Sequence, residues 1–176
     1  WAALQTLKEE NEDLKLVLHS HRAGHASITR NERHGISMLV ISKLIRLIGL
    51  DQLHIGTIVG KMAGGVEEVL SCRDVLVKQK NTEPLLDQNW GKIKSVFPVA
   101  SGGLHPGHVP KLYEYFGKDV IIQMGGGIHG HPKGTISGAK AARQAIEAVV
   151  ERIPLREHAV THTELREAIE KWGIKK

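Results

Sequence analysis

Two apolar stretches that end in glycine decide the fold of this chain. Residues 96–103 read VFPVASGG, and residues 120–127 read VIIQMGGG. A short apolar run bounded by glycine is typical of a buried strand in a parallel sheet. A helical pattern follows each run, over residues 109–116 and 136–153, so each run is predicted to begin a strand–helix unit.

Two similar units precede these stretches. A helix is predicted over residues 2–13 and a buried strand over 14–19. Ser37 is a suitable N-cap for a helix over residues 38–47, which Gly49 ends. A second strand is expected over residues 52–55 and a second crossover helix over 65–78. Strands that alternate with helices indicate a parallel sheet, and a terminal helix over residues 163–172 follows it.

All four predicted strands end in glycine or polar residues that could bind a ligand. The ends read HSHR at 19–22, His54, SGG at 101–103 and GGG at 125–127. This loading is typical of the catalytic face of a TIM barrel. The fold class predicted is therefore α/β: the second half, four βα units, of a TIM (β/α)8 barrel plus a C-terminal helix. We expect residues 1–154 to form the half-barrel and 155–176 a helical extension, with strands 14–19 and 120–124 at the edges.

Composition narrows the function classes. The 176 residues are 41% hydrophobic and 24% charged, with a net charge of +5 that is scattered along the chain. Aromatic residues make up only 4%, so we expect no nucleic-acid partner. No apolar run approaches the ~20 residues of a membrane span, so we expect no membrane partner either. The single Cys72 is consistent with a reducing, cytoplasmic setting, and the dispersed charge suits a phosphorylated small molecule.

The glycine stretches and the basic residues are the candidate binding groups. Glycine lets backbone N–H groups converge on an anion, although either stretch could simply be a tight turn. The planar guanidinium of Arg22 could bind phosphate through two parallel hydrogen bonds, or alternatively form a salt bridge at the barrel mouth. Lys61 lies among glycines, in a loop that could close over substrate or leave the lysine solvated. His19 and His21 share a strand face and could bind zinc, but no carboxylate ends a strand, so no metal site is predicted.

Four motifs in this order resemble one family. They are HRAGH at 21–25, HIGTIVGK at 54–61, PVASGG at 98–103 and QMGGG at 123–127. The chain resembles the C-terminal part of the large subunit of ribulose-1,5-bisphosphate carboxylase/oxygenase (RuBisCO), and HGISM at 34–38 is most similar to the archaeal, form III branch. The resemblance extends over essentially all 176 residues.

The resemblance implies roles for individual residues. His21 would be a proton acceptor, and Lys61 would stabilise the carboxylation transition state. One substrate phosphate would be bound by Arg22, His54 and Ser101, and the other by Lys61, Gly103, Gly125 and Gly126. The substrate site would also be lined by Gly102, Gln123 and Met124.

The resemblance also implies an activity that the chain alone would lack. The full subunit would add CO2 to ribulose 1,5-bisphosphate to give 3-phosphoglycerate, with O2 as a competing substrate. It would act as a homodimer or higher homo-oligomer. Its Mg2+ ligands, including a carbamylated lysine, are expected upstream of this chain. Two alternatives stay open: a RuBisCO-like enolase or isomerase of a phosphorylated sugar, and a catalytically incomplete half-barrel that only binds sugar phosphates.

Overall fold

The computed structural model describes residues 1–31, 33–60, 65–82 and 87–175. Its strands are β1 (His19–Ser20), β2 (Gln52–Gly56), β3 (Lys80–Asn81), β4 (Gln88–Asn89), β5 (Phe97–Ser101) and β6 (Ile121–Gln123). Its helices are α1 (Ala2–Leu14), α2 (Ala26–Thr29), α3 (Met38–Ile48), α4 (Val66–Val77), α5 (Val109–Phe116), α6 (Gly125–His129), α7 (Thr135–Val150), α8 (Leu155–Thr161) and α9 (Thr163–Trp172). A 3-10 turn over Pro106–His108 leads into α5.

Four strands form the main sheet in the order β1-β2-β5-β6, and β3 pairs with β4 in a separate antiparallel ribbon. β1 and β2 are parallel, with His19 opposite Gln52 and Ser20 opposite Leu53. The main strands are neighbours in chain order with helices between them, as in successive units of a βα barrel. β1 and β6 form the edges, as predicted, so the described strands make an open sheet.

The described chain divides into two compact units. The first comprises Trp1–Gly56, Gly64–Val99 and Asp119–Ile121. In it α3 packs against α4 and β2. Ser37 caps α3 by accepting a hydrogen bond from the Val40 N–H, and Gly49 ends the helix at φ 90°, so both predicted signals are confirmed. The core of this unit consists of Met38, Ile41, Ile45, Leu53, Ile55, Val69, Cys72, Val75 and Leu76.

The second unit comprises Thr57–Ala63, Ala100–Lys118 and Ile122–Lys176. Its long helix α7 packs against α5, α6 and α9. Small residues on α7 allow this close approach: a Cβ on Gly138 would overlap the backbone carbonyl of Ile128. The core of this unit includes Leu104, Val109, Leu112, Phe116, Met124, Ala141, Ala142, Ala145, Ala148, Leu165 and Ala168.

The strand predicted over residues 14–19 is wrong in its extent. Leu14 still belongs to α1, and only His19 and Ser20 pair with β2. Leu16 and Val17 are 61% and 65% exposed, because β1 is an edge strand whose other side has no paired strand among the described residues. The Asn11 side chain holds this segment instead, since its amide donates to the Leu16 carbonyl and accepts from the Leu16 N–H.

Three other segments differ from the prediction. Residues 125–127, expected to form an anion-binding glycine loop or a tight turn, begin the short helix α6. No strand was predicted at Lys80–Asn81 or Gln88–Asn89, which form β3 and β4. Helix α8 was missed: Pro154 precedes it, and residues 155–175 pack within the second unit. Helices α5 and α9 have the predicted bounds.

Arg46 ties the elements of the first unit together. It is fully buried, and its side chain lies over the ring of Trp90, with Cζ 4.6 Å from the ring centroid. All five guanidinium N–H groups have acceptors, namely the carbonyls of Val75, Lys78, Ile93 and Lys94 and the side-chain oxygen of Gln79. Five carbonyl acceptors take the place of a carboxylate partner, so the buried charge is solvated by the protein.

We predict that Arg46→Lys in the full subunit lowers the free energy of unfolding by about 3 kcal/mol or more, because an ammonium cannot reach five diverging carbonyls. Chemical denaturation measures this loss. Arg143→Lys is the matched control, because the Arg143 side chain is 75% exposed and pairs with Glu147 on its own helix. Equal stabilities for the two variants would contradict the role given to Arg46.

Candidate functional site

The register of β1 and β2 assembles a cluster of imidazoles in the first unit. His19 lies opposite Gln52, and side chains two residues apart on a strand share a face, so His21 and His54 join the same face. His19 Nε2 lies 2.7 Å from His54 Nε2, and His19 Nδ1 lies 2.6 Å from Gln52 Oε1. The ring centroids of His21 and His54 are 4.3 Å apart.

His54 is the buried member of this cluster, with 1% of its surface exposed. Burial lowers the pKa of His54 to about 4, and the positive charges of His21, His19 and Arg22 add to the shift. His54 is therefore neutral near pH 7, with one ring nitrogen that donates and one that accepts.

Arg22 is buried next to the cluster without a full set of partners. Its side chain is 8% exposed, and Nη1 donates to the Ile55 carbonyl at 3.2 Å. Nε and Nη2 are both buried and have no hydrogen-bond partner among the described residues. Burial lowers the pKa of Arg22, and the negative charge of Glu68 opposes this shift. A cation with two unused donors facing the same way is suited to an anion with paired oxygens, such as a phosphate.

Gly56 makes room for this arginine. It has φ 97°, and a Cβ at this position would lie 2.6 Å from Arg22 Nη2. A side chain here would therefore displace the guanidinium, which explains why glycine follows His54 and Ile55 in this strand.

His21 is held in one tautomer. Its Nδ1 accepts a hydrogen bond from the Ala23 N–H at 2.9 Å, so neutral His21 carries its proton on Nε2. To accept a proton at Nδ1, His21 would have to release the Ala23 N–H. Nearby, His25 Nδ1 contacts Thr29 Oγ1 at 2.8 Å, and burial together with the charge of Arg22 lowers the pKa of His25.

The second unit contains a glycine-lined cavity of about 460 Å3. Gly60, Gly103 and Gly126 line it together with Trp172 and Lys175 of the C-terminal segment. The His105 ring stacks on Trp172 with centroids 5.5 Å apart, and the Lys175 N–H donates to the Gly107 carbonyl. The cavity therefore combines residues of three glycine-containing segments with one lysine, Lys175.

The glycines that line this cavity or adjoin its lining differ in why glycine is present. A Cβ on Gly125 or Gly126 would meet no atom within 4 Å, so packing does not require glycine at either position. A Cβ on Gly127 would overlap the Leu104 carbonyl, so close packing explains Gly127. Gly102 and Gly103 have φ 118° and 65°, and the turn after β5 requires them.

The remaining predicted residues fall as follows. Ser101 ends β5, Gln123 ends β6 with an exposed side chain, and Met124 is 5% exposed in the core. Lys61 lies outside the described residues. Within the first unit the structure brings together His21, Arg22 and His54; within the second it brings together Gly103 and Gly126.

Three residues of these sites were not singled out from the sequence. Gln52 lies opposite His19. The available signal was that HSH at 19–21 and QLH at 52–54 have the same spacing of polar residues on two predicted strands. Trp172 and Lys175 line the glycine cavity from about 45 residues further along the chain, as the numbering shows. Only the tertiary packing of α9 reveals their position, because no local pattern links them to the glycine segments.

The described residues contain neither a clustered set of metal-ligating side chains nor a membrane-spanning helix. Among these described residues, no group of three or more His, Cys, Asp and Glu side chains is placed to hold a metal ion. Nor does this part of the chain contain a helix with the length and hydropathy needed to cross a bilayer.

Comparison with known proteins identifies the family of this chain. The family described as "Ribulose bisphosphate carboxylase large chain, catalytic domain" matches residues 1–172. The ribulose bisphosphate carboxylase of Methanosarcina barkeri is 58% identical over 176 residues, covering 98% of this chain and 41% of its own length. That of Pyrococcus furiosus is 52% identical, covering 100% of this chain and 40% of its own length.

Solved structures show the same similarity. The dimeric archaeal Rubisco of Hyperthermus butylicus matches with a TM-score of 0.91 and 45% identity, over 99% of this chain and 41% of that one. The octameric enzyme of Pyrococcus horikoshii matches with a TM-score of 0.88 and 50% identity, over 98% of this chain and 39% of that one.

The fold is thus confirmed as part of a TIM-barrel catalytic domain, open in the described residues. This chain belongs to the RuBisCO large-chain family. It spans about two fifths of the length of the relatives that it matches.

We predict that His54 titrates with a midpoint near pH 4 rather than near 6.5, because its buried ring faces three cationic or cationisable groups. An NMR titration of labelled histidine, with the signal assigned by its loss in His54→Gln, measures this midpoint. Between pH 4 and about 6.5 the unfolded chain binds more protons, so stability falls as pH falls through this window. A midpoint near 6.5 would show that the ring is not held neutral by its surroundings.

Proposed function

We propose that this chain supplies half of the catalytic barrel of a ribulose-bisphosphate carboxylase large subunit. The complete subunit would join CO2 to ribulose 1,5-bisphosphate and release two molecules of 3-phosphoglycerate, with O2 as a competing substrate. Family membership supports this activity. The observation that carries it in the structure is Arg22, whose buried Nε and Nη2 have no hydrogen-bond partner among the described residues.

The two sites would hold the two ends of a bisphosphate. Arg22 supplies charge and paired donors to one phosphate, with His54 beside it and Ser101 as a third group. The glycine cavity supplies backbone N–H groups to the other phosphate, from Gly103, Gly125 and Gly126, together with the ammonium of Lys61. Gly102, Gln123 and Met124 belong to the segments that line the substrate. Open space at Gly125 and Gly126 supports this assignment, because packing leaves glycine unexplained there.

Proton transfer in the site would involve His21. Its Nε2–H tautomer makes it a hydrogen-bond donor as it stands. It would act as a proton acceptor after Nδ1 releases the Ala23 N–H, a small rearrangement that substrate contact at Nε2 could favour. Lys61 would neutralise the negative charge that develops as CO2 adds to the enediolate.

Other parts of the enzyme would complete the reaction. Mg2+, when bound, would polarise the substrate oxygens, but the described residues do not fit a site for it, so its ligands would come from upstream segments of the subunit. The subunit would act as a cytoplasmic homodimer or larger homo-oligomer. Residues 1–154 would form the half-barrel, and 155–176 would form an extension that reaches the glycine cavity.

We predict that Arg22→Leu in the full subunit raises the KM for ribulose 1,5-bisphosphate by on the order of 100-fold, because it removes two charge-assisted hydrogen bonds. The same change should leave the free energy of unfolding unchanged or raise it, since a buried, incompletely paired charge is replaced by an apolar side chain. Incorporation of labelled CO2 and chemical denaturation measure the two effects.

Arg22→Lys and Arg30→Lys serve as controls. Arg22→Lys keeps the charge but loses the fork, so the KM should rise by about tenfold. Arg30 is exposed in the same segment, and its replacement should leave the KM unchanged. A loss of stability in Arg22→Leu with an unchanged KM would mean that the arginine is structural and that the phosphate assignment is wrong.

A further inference from the structure

Trp172 ends helix α9 next to two segments that line the glycine cavity. One segment, residues 102–107, follows β5, and the other, residues 125–130, contains α6. The Trp172 ring stacks on the ring of His105, with centroids 5.5 Å apart and planes inclined by 15°. Its Cζ2 edge approaches Gly130, where a Cβ would lie 3.4 Å from it. One side chain therefore lies against both segments.

The phosphate-binding groups proposed for this cavity are backbone N–H groups, so their spacing depends on how the two segments pack. A bound anion requires the N–H groups of Gly103 and Gly126 to point to one place, and neither residue has a side chain that could adjust. The two segments meet directly at Gly127, because a Cβ there would overlap the Leu104 carbonyl. The tryptophan ring supplies a second connection between them.

Gly130 links the tryptophan ring to Gly126. The Gly130 N–H donates to the Gly126 carbonyl at 3.0 Å, and a Cβ on Gly130 would lie 2.7 Å from the same oxygen. Gly130 has φ −83°, so close packing rather than backbone conformation explains its lack of a side chain. The ring therefore meets the backbone at the end of α6, and a displacement of the ring would move Gly126.

The His105 ring links Trp172 to the other segment. Its centroid lies 3.6 Å from that of His108 and 5.5 Å from that of Trp172, while its buried Nδ1 has no hydrogen-bond partner among the described residues. Burial lowers the pKa of His105, and burial with the charges of His105 and Lys175 lowers that of His108 to about 4. Both rings are therefore neutral near pH 7, and ring contacts rather than a hydrogen bond from Nδ1 hold His105.

Contacts on either side of Trp172 along the chain fix the end of α9 against the same two segments. Lys171 Nζ donates to the Gly130 carbonyl at 2.5 Å, and the Lys175 N–H donates to the Gly107 carbonyl at 3.1 Å. The backbone is also in close contact at Gly107, since a Cβ there would overlap the carbonyl of the residue after Trp172. The tryptophan is thus held in place and acts as a fixed spacer.

We propose that Trp172 is a positioning residue for phosphate binding, because its ring sets the separation of the Gly103 and Gly126 N–H groups. This inference rests on the phosphate-binding role proposed for the glycine cavity. A phosphate group that does not react is bound equally well before and during the chemical step. A misplaced phosphate site therefore raises KM and has little effect on kcat.

Trp172→Leu in the full subunit tests this role, because leucine is apolar but lacks the ring that reaches both His105 and Gly130. We expect the KM for ribulose 1,5-bisphosphate and the Kd of a non-reactive bisphosphate analogue to rise by on the order of tenfold, the weakening of one hydrogen bond to a charged group. The kcat should change by about twofold or less.

Trp172→Phe is the conservative variant. Phenylalanine keeps an aromatic ring over His105 but lacks the Cζ2 edge that approaches Gly130, so the same Kd should rise by only about threefold. If Trp172→Leu fails to fold, Trp172→Phe decides the matter, and a Kd equal to that of wild type would overturn the proposal.

Trp90→Leu is the matched control for the loss of a tryptophan. Trp90 is 3% exposed and belongs to the first unit, where its ring lies against Arg46. Its replacement should lower the free energy of unfolding, measured by chemical denaturation, and leave the Kd of the folded protein unchanged. A Trp172→Leu variant that loses stability but keeps the wild-type Kd would show a purely structural tryptophan and overturn the proposal.

Gly126→Ala separates this inference from the proposed function. A Cβ on Gly126 would meet no atom within 4 Å, so it would occupy only space assigned to the phosphate. The Kd of the analogue should rise by on the order of tenfold without loss of stability. An unchanged Kd would overturn the phosphate role of the cavity. A raised Kd here, with wild-type values in both Trp172 variants, would overturn the positioning role alone.

Crystal structures of wild type and Trp172→Leu measure the separation directly. The distance between the backbone nitrogens of Gly103 and Gly126 should change by about 0.5 Å or more, the tolerance within which a binding site is held. An unchanged distance together with a raised Kd would mean that the ring contacts the ligand itself, and would overturn the positioning role.

Discussion

The parallel register between β1 and β2 is the constraint on which the first site depends. With His19 opposite Gln52, the alternation of side chains along two strands brings three imidazoles and one amide onto a common face. A shift of one residue would send His54 to the other face of the sheet and separate it from His19 and His21. The same register places Arg22 beside Gly56, where the missing side chain leaves room for the guanidinium.

Burial of Arg22 shows how function and stability are opposed in this site. Arg46 is also a fully buried arginine, but all five of its N–H groups meet oxygen acceptors, so its charge is satisfied by the fold. Arg22 has one such contact and two buried donor atoms that meet no acceptor in the part of the chain that the structure describes. The fold therefore retains an incompletely solvated charge at a position where a dianionic ligand would complete it, which is the pattern expected of a binding group rather than a structural one.

Much of this organisation could be predicted from the sequence, because its signals are local. Ser37 and Gly49 mark the ends of α3, and the apolar runs before Ser101 and Gly125 mark two of the sheet strands. The strand over residues 14–19 was overextended, since its apolar residues are those of an edge segment and composition does not distinguish an edge from a buried strand. Gly125–Gly127 was predicted to be a glycine loop that binds an anion, with a simple tight turn as the alternative, whereas the structure begins helix α6 there and packs Gly127 against Leu104. The sequence could suggest Arg22 as a candidate anion ligand, but its unused donors are visible only in the structure.

The central claim is that the Arg22 donors bind a phosphate of the substrate. The most direct test is a crystal structure of the complete subunit with a non-reactive bisphosphate analogue bound. The account predicts a phosphate within hydrogen-bond distance of Arg22 Nε and Nη2, with His54 in contact with the same phosphate. A bisphosphate bound with both phosphates away from Arg22, and the guanidinium unchanged, would contradict it.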